Sequence, residues 1–443
     1  MISFTLEAAM TISNDLPLPP GSFGLPLLGE TIAFLTDGDF ASKRHNKYGQ
    51  LFRTHIFGSP TIILSGTEAN RFLLSNENKY FAATWPKSTK TLLGSASLAV
   101  HTGDVHASRR RLIYQAFQPR SLASYIPTVE TITARYLERW QNAKTLSWYP
   151  ELRNYTLDIA CKLFVGLDQG SATKLGEAFD TWCAGLFTLP LPLPWTAFGK
   201  ALRCREELLE AIETIILERK KNDDLGQDAL AILLQAKDEN GQSLSLAELK
   251  DQVLLLLFAG HETLTSAIAT FCLQMALHPD IFQLVLEEIT NFDLSTPLSV
   301  DTLKQMTYLD RVLKEVLRFT PPVGGGFRRV IEDCQFNGYH LPKGWVVQYQ
   351  ITNTHKDNNI YSHPETFDPD RFLAEEKPYG YIPFGAGLRE CIGKEFARLE
   401  MKILAVRLVQ KYDWQLLPNQ DLTLTSIPTP HPRDGLQVTF KPR

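Results

Sequence analysis

The sequence predicts a mainly helical α+β protein with small β-sheets, folded as a single domain. Apolar residues recur at helical spacing from Val105 to Thr290, whereas β-rich runs are short and confined to Leu51–Gly66 and the region beyond Pro321. No internal repeat or linker-like change of composition divides the 443 residues. The expected layout is a short tail over residues 1–15 and one domain over 16–443.

The opening LPLPPGSFGLPLLGE (Leu16 to Glu30) mixes proline and glycine too densely for helix or central strand, so it predicts an extended segment laid over the body. LFRTHIFGSPTIILSG then reads as a hairpin split at Gly-Ser-Pro. SLASYIPTVETITARYLERW and ALRCREELLEAIETIILERKK carry amphipathic helical patterns, and LPLPLPW before the second is a stiff connector. LKDQVLLLLFAGHETLTSAIATFCLQMAL is apolar on nearly every side, as a central buried helix should be, and His261 and Glu262 interrupt it too soon for a membrane span. GYHLPKGWVVQYQI returns to strands, and IGKEFARLEMKILAVRLVQ reads as a last amphipathic helix.

Forty-five basic residues against 49 acidic ones give a net charge of −4, which argues against a nucleic-acid surface. The N-terminal MISFTLEAAMTIS carries Glu7, lacks a basic leader and falls short of the roughly 20 apolar residues that span a bilayer. A protein without a transmembrane anchor, in the cytoplasm, is expected. The six cysteines form no CxxC pair, which argues against a disulfide framework or a zinc site.

Four stretches carry possible chemistry. In FGAGLRECIG (Phe384 to Gly393) a cysteine precedes a helix start, where backbone N–H groups lower a thiol's pKa, and glycines admit a flat, bulky partner whose acidic group Arg389 could pair. Alone, such a cysteine is more often a small buried hydrophobe. AGHET (Ala259 to Thr263) sets polar residues inside the most apolar helix, where Gly260 would permit a local opening that lets Thr263 and Glu262 hold a small polar ligand. KEVLRF puts Glu315 and Arg318 on one helix face, and FDPDRF supplies Arg371 in a proline-broken loop.

Taken in order, AGxET, ExxR, FxPxRF and FxxGxRxCxG resemble the cytochrome P-450 family of haem-thiolate monooxygenases, the last pattern matching completely at Phe384, Gly387, Arg389, Cys391 and Gly393. The resemblance extends from LPPGSFGLPLLGE to the C-terminal strands and implies haem b (iron protoporphyrin IX) with Cys391 as axial thiolate. By the same resemblance His106, Arg110, Arg328 and Arg389 meet the haem propionates, Glu315, Arg318 and Arg371 form a buried brace, and Thr263 and Glu262 deliver protons during dioxygen activation.

TWPKSTKTLLG, GLFTLPLPLPW, FAGHET and PPVGGGFR resemble retinoic-acid hydroxylases in particular, which implies a pocket lined by Trp85, Phe187, Phe258, Ala259 and Phe327 for a retinoid-like substrate. One departure stands out: where the animal enzymes are expected to carry an arginine near the substrate carboxylate, this chain has Ile63. A neutral retinoid, or an acid held elsewhere, is therefore open. So are a peroxide-using or hydroperoxide-rearranging enzyme of the same fold acting on another isoprenoid or a fatty acid, and a non-catalytic haem sensor. No flavin or iron–sulfur motif is present, so electrons are expected from a ferredoxin-type donor with its reductase, docking near Lys394 and Arg109 to Arg111.

Overall fold

A computed structural model describes residues 16–25, 29–143, 145–425 and 427–443; the expected tail lies outside them. Eight helices position the site: α1 (Gly103–Tyr114), α2 (Pro119–Gln141), α3 (Trp148–Val165), α4 (Lys174–Gly185), α5 (Ala197–Lys221), α6 (Leu246–Leu277), α7 (Thr307–Phe319) and α8 (Lys394–Lys411). The helical stretch expected between Val105 and Thr290 is present.

α6 begins at a capping box. Ser245 Oγ accepts from the Glu248 N–H at 3.3 Å, and Glu248 Oε2 accepts from the Ser245 N–H at 2.8 Å, satisfying two donors that a helix start leaves open. Beyond that cap the helix is packed by α3 and α5. It is long and apolar enough to cross a bilayer, yet 72% of its most apolar window is buried inside the fold, so its hydropathy is used by the core.

The main sheet has five strands, β1 (Leu51–Ile56), β2 (Ser59–Leu64), β3 (Phe81–Ala83), β4 (Gly325–Val330) and β5 (Val346–Gln350), in the order β1-β2-β5-β4-β3. The hairpin turn is one step earlier than Gly-Ser-Pro suggests. Phe57 and Gly58 both take positive φ, 52° and 72°, and make the tight turn, while Ser59 and Pro60 open β2. Two residues with φ above zero match the right-handed twist of the strands, and a proline at a strand start forfeits little hydrogen bonding. A second, three-stranded sheet joins Thr145–Ser147, Gln437–Pro442 and Tyr412–Leu416 on the helical side.

Pairing register decides which side chains share a face. Ile63, Gln348 and Phe327 sit in one cross-strand row, and Leu64, Tyr349 and Gly326 sit in the next, on the opposite face. This alternation separates Phe327 from its neighbour Arg328.

One core residue breaks the apolar pattern. Glu400, on α8, is 1% exposed, and neither carboxylate oxygen has a partner among the described residues. Burial pushes its carboxyl well above the usual range, so the folded chain holds it neutral by keeping a proton that the unfolded chain releases near pH 4.3. The stability this group permits is complete below that pH and declines as pH rises toward its folded-state pKa. Glu400→Gln is therefore expected to stabilise the protein at pH 7–8 by about 1–3 kcal/mol, with no gain near pH 4. Melting temperature against pH checks this; equal curves for both proteins would show that Glu400 is not held neutral.

Candidate active site

The cysteine loop is built by its glycines. Gly385 and Gly387 have φ of +69° and +68°, and a Cβ on Gly387 would lie 2.8 Å from the Leu74 carbonyl oxygen, so the loop's close approach to that segment needs glycine. The Cys391 N–H donates to Phe384 O at 2.9 Å and closes the loop, and α8 starts at Lys394 with Gly393 as its cap. Cys391 is the one exposed cysteine of the six. The expected depressed thiol is not what the surroundings produce. Although Cys391 is open on one side, desolvation by the protein packed around its other sides pushes the thiol up, outweighing the Gly393 N–H, Arg110 and Lys394, which pull it down. A bound cation would reverse that balance, since a coordinating thiol is deprotonated outright.

Around the loop gathers a cationic cluster. Arg110, from α1, donates from Nη2 to Glu390 O at 2.7 Å, and Arg389 donates from Nη2 to His101 O at 2.6 Å. Arg328 reaches Glu77 through Nε at 2.5 Å, and Arg389 Nε lies 3.7 Å from the same carboxylate. His106 is buried, and burial together with Arg389, Arg110, His101 and Arg328 pushes its imidazole down to about 3, so it is neutral. Burial and the other two arginines push Arg389 down to about 10 against the pull of Glu77. Arg328 and Arg389 thus share one carboxylate, and Arg110, close enough to push Arg389 down, has no carboxylate within salt-bridge distance among the described residues, which leaves room for a doubly negative group.

A brace lies beneath. Glu315 and Arg318 are fully buried on α7, bonded through Nε to Oε2 at 2.6 Å and Nη2 to Oε1 at 2.7 Å, and Arg371 Nε adds a contact to Oε1 at 3.0 Å. Sequence reading missed the element that ties this brace to the loop. His355 Nε2 accepts from the Ile382 N–H at 3.1 Å, so Nδ1 carries the proton and donates to Arg318 O at 3.2 Å. Burial and Arg318 push His355 down to about 3, which keeps that tautomer neutral.

In α6 the expected local opening does not occur, because the helix is continuous through Gly260. Glycine is needed there for packing: a Cβ would lie 2.8 Å from a ring carbon of Phe164 on α3. Ala259 is exposed within a mostly buried stretch, and Thr263 Oγ1 donates to Ala259 O at 2.7 Å, which leaves its lone pairs free to accept. Glu262 faces elsewhere. It is fully buried against Arg153 Nη1 at 2.7 Å, and Arg153 in turn reaches Asp180 at 2.5 Å. Burial pushes the Glu262 carboxyl up while Arg153 pulls it back. Thr263 and Glu262, expected to act side by side, therefore sit on different faces of the helix, and the Arg153 partner was not legible in sequence.

The expected pocket aromatics are brought together through backbone links. The Thr84 N–H donates to Phe327 O at 3.3 Å, placing Trp85 beside Phe327, and Ser88 and Thr89 donate to Leu186 O at 2.9 and 2.6 Å, bringing Phe187 to the same segment. Phe258 meets Trp182 edge-on at 5.7 Å, and Trp182 Nε1 donates to Leu92 O at 3.2 Å. Trp85, Phe187, Phe258 and Phe327 are all half-buried. Ile63 is 1% exposed in the core beneath, and beside it Gln348 Oε1 accepts from Gln350 Nε2 at 2.9 Å. The Gln348 amide N–H₂ makes no further bond among the described residues.

These features are those of a known family. The cytochrome P450 profile matches residues 19–438. The chain is a cytochrome P450. The family is one of monooxygenases that work through haem and take electrons from a redox partner, and this P450 shares both properties. It is 54% identical over 430 residues to the putative cytochrome P450 120 of Synechocystis sp., covering 96% of this chain and 97% of the relative. It is 37% identical over 449 residues to cytochrome P450 26A1 of Gallus gallus, covering 97% and 91%. The solved structure described as retinoic acid bound cyanobacterial CYP120A1 superposes with a TM-score of 0.93 at 52% identity, covering 97% of this chain and all of that one.

The residues of this P450 fit a haem on two counts. Cys391 is accessible on a glycine-cleared loop, and the arginine cluster beside it lacks two negative charges. An iron at Cys391 would need its remaining ligands from a macrocycle.

Proposed function

We propose that this P450 hydroxylates a C–H bond of a retinoid, with haem b as the group that Cys391 would hold at the iron and that Arg110, Arg328, Arg389 and neutral His106 would hold at the propionates. The observation that carries the substrate is the retinoic-acid-bound neighbour, 52% identical across nearly the whole chain. The half-buried aromatics support it, because an apolar polyene gains about 25 cal/mol for each Å² it buries. When bound, the haem supplies dioxygen activation. Thr263, donating to Ala259 O, presents an acceptor for a water that carries protons, and Cys391 would supply electron density to the iron it ligates. Glu262, held by Arg153, supplies protons only through intervening groups.

Electrons come from a ferredoxin-type donor in the cytoplasm. Arg109 does not serve its docking face as expected, being paired with Glu248 at 2.5 Å and Asp238 at 3.7 Å. Arg111 and Lys394 are paired as well, with Glu239 at 3.0 Å and Glu390 at 3.1 Å, but their side chains are exposed and can exchange those partners for a docking protein's carboxylates.

With Ile63 buried, the polar group nearest Phe327 in its row is the Gln348 amide, which can donate to a carboxylate, an aldehyde or an alcohol without supplying a counter-charge. Retinoic acid, retinal and retinol are each expected to perturb the haem Soret band. Gln348→Leu is expected to weaken the affected ligand's binding about 5- to 30-fold, corresponding to loss of one hydrogen bond of about 1–2 kcal/mol. Silence of the haem band with all three retinoids overturns the substrate, and turnover on hydrogen peroxide alone but not with ferredoxin, reductase and NADPH overturns the reaction.

A further inference from the structure

Glu77 was not singled out by any motif, yet it lies at the centre of the cationic cluster. Its side chain is 3% exposed. Oε1 accepts from the Ala83 N–H at 3.0 Å, Oε2 accepts from Arg328 Nε at 2.5 Å, and Arg389 Nε stands 3.7 Å from Oε1. The carboxylate thus bridges the start of the substrate segment, strand β4 and the cysteine loop. Leu74, just before it, is the residue whose carbonyl meets Gly387 of that loop.

Arg328 is held on every other side as well. Its Nη1 donates to Phe327 O at 3.0 Å, and its guanidinium lies against Tyr349, 5.6 Å from carbon to ring centre and within reach of the phenol oxygen, so with Nε on Glu77 its orientation is fixed. A guanidinium clamped along its Nε edge presents its far edge in one direction, which is how a planar cation is aimed at a carboxylate. Without Glu77, Arg328 and Arg389 would be two like charges in a dry site, and Arg110 a third.

We propose that Glu77 is a positioning and charge-setting residue for the haem: it aims Arg328 and Arg389 at the propionates and lowers the surplus charge of the cluster from three to two, matching a dianionic porphyrin edge. Because reducing the iron adds negative charge, a fixed carboxylate buried beside the cysteine loop would oppose reduction. Glu77 would therefore hold the midpoint potential of the iron down.

The test uses the haem-loaded protein. Glu77→Gln keeps an oxygen to accept from Ala83 or Arg328 and removes only the charge; its midpoint potential in a spectroelectrochemical titration is expected to shift positive. Glu77→Asp keeps the charge on a shorter stem, so its potential should stay near the natural one while haem passes faster to apomyoglobin. An unchanged potential in the glutamine variant overturns the proposal, as does an equal shift in both variants. Should the glutamine variant fail to accumulate, the aspartate variant decides: faster haem transfer at unchanged potential supports the role, and natural behaviour in both readouts overturns it.

Discussion

Replacing Glu315 with alanine is expected to remove about 3–5 kcal/mol of stability, the cost of stranding a buried charge by deleting its partner. Two buried guanidiniums depend on that carboxylate, Arg318 through two bonds of 2.6 and 2.7 Å and Arg371 through one of 3.0 Å, and the Asp368 N–H donates to it at 2.9 Å. Unlike an exposed (i, i+3) pair, none of these groups can turn to water, because Glu315 and Arg318 are both fully buried. The damage should reach the cysteine loop, since Arg318 O is bonded to His355, which in turn holds the Ile382 N–H. Denaturant midpoint and haem content of the purified protein should fall together. Glu315→Ala with natural midpoint and haem content would show that the brace is dispensable.

Replacing Cys391 with serine is expected to bring monooxygenase turnover to background and to remove the thiolate signature from the reduced carbon monoxide difference spectrum. Serine has nearly the same shape, so the loop closed by the Cys391 N–H to Phe384 O should persist and the loss should be chemical. An identical spectrum in the serine variant would displace Cys391 as the iron's ligand. The raised thiol adds a pH dependence. A protonated thiol must lose its proton when it ligates a metal, so haem uptake by the natural apoprotein should strengthen as pH rises toward the thiol's pKa and level off above it.

Local physics made much of this molecule legible in one dimension. The helices between Val105 and Thr290 follow from period-3.6 apolar spacing, and the buried α6 follows from an apolar surface with no polar face. The cysteine loop was readable because its glycines, its cysteine and the following helix start lie within ten residues. Glu315 and Arg318 were readable as a pair because three residues on a helix are one turn.

Partnerships made by packing were not readable. Glu77 meets Arg328 across 251 residues, Arg153 meets Glu262 across 109, and His355 links Arg318 to Ile382 by spanning both sequence directions. A carboxylate's role depends on which cation burial forces upon it, and no spacing rule encodes that choice. Sequence placed Thr263 and Glu262 side by side, but adjacent helix residues point about 100° apart, and only the packing of α3 against α6 turned one toward Arg153. By itself, then, the sequence determined the family, the helical frame and the thiol loop, all of them carried by local spacing. Tertiary structure alone decided which charges neutralise one another and that Gln348, rather than a cation, stands beside Ile63, because those outcomes depend on distance in space.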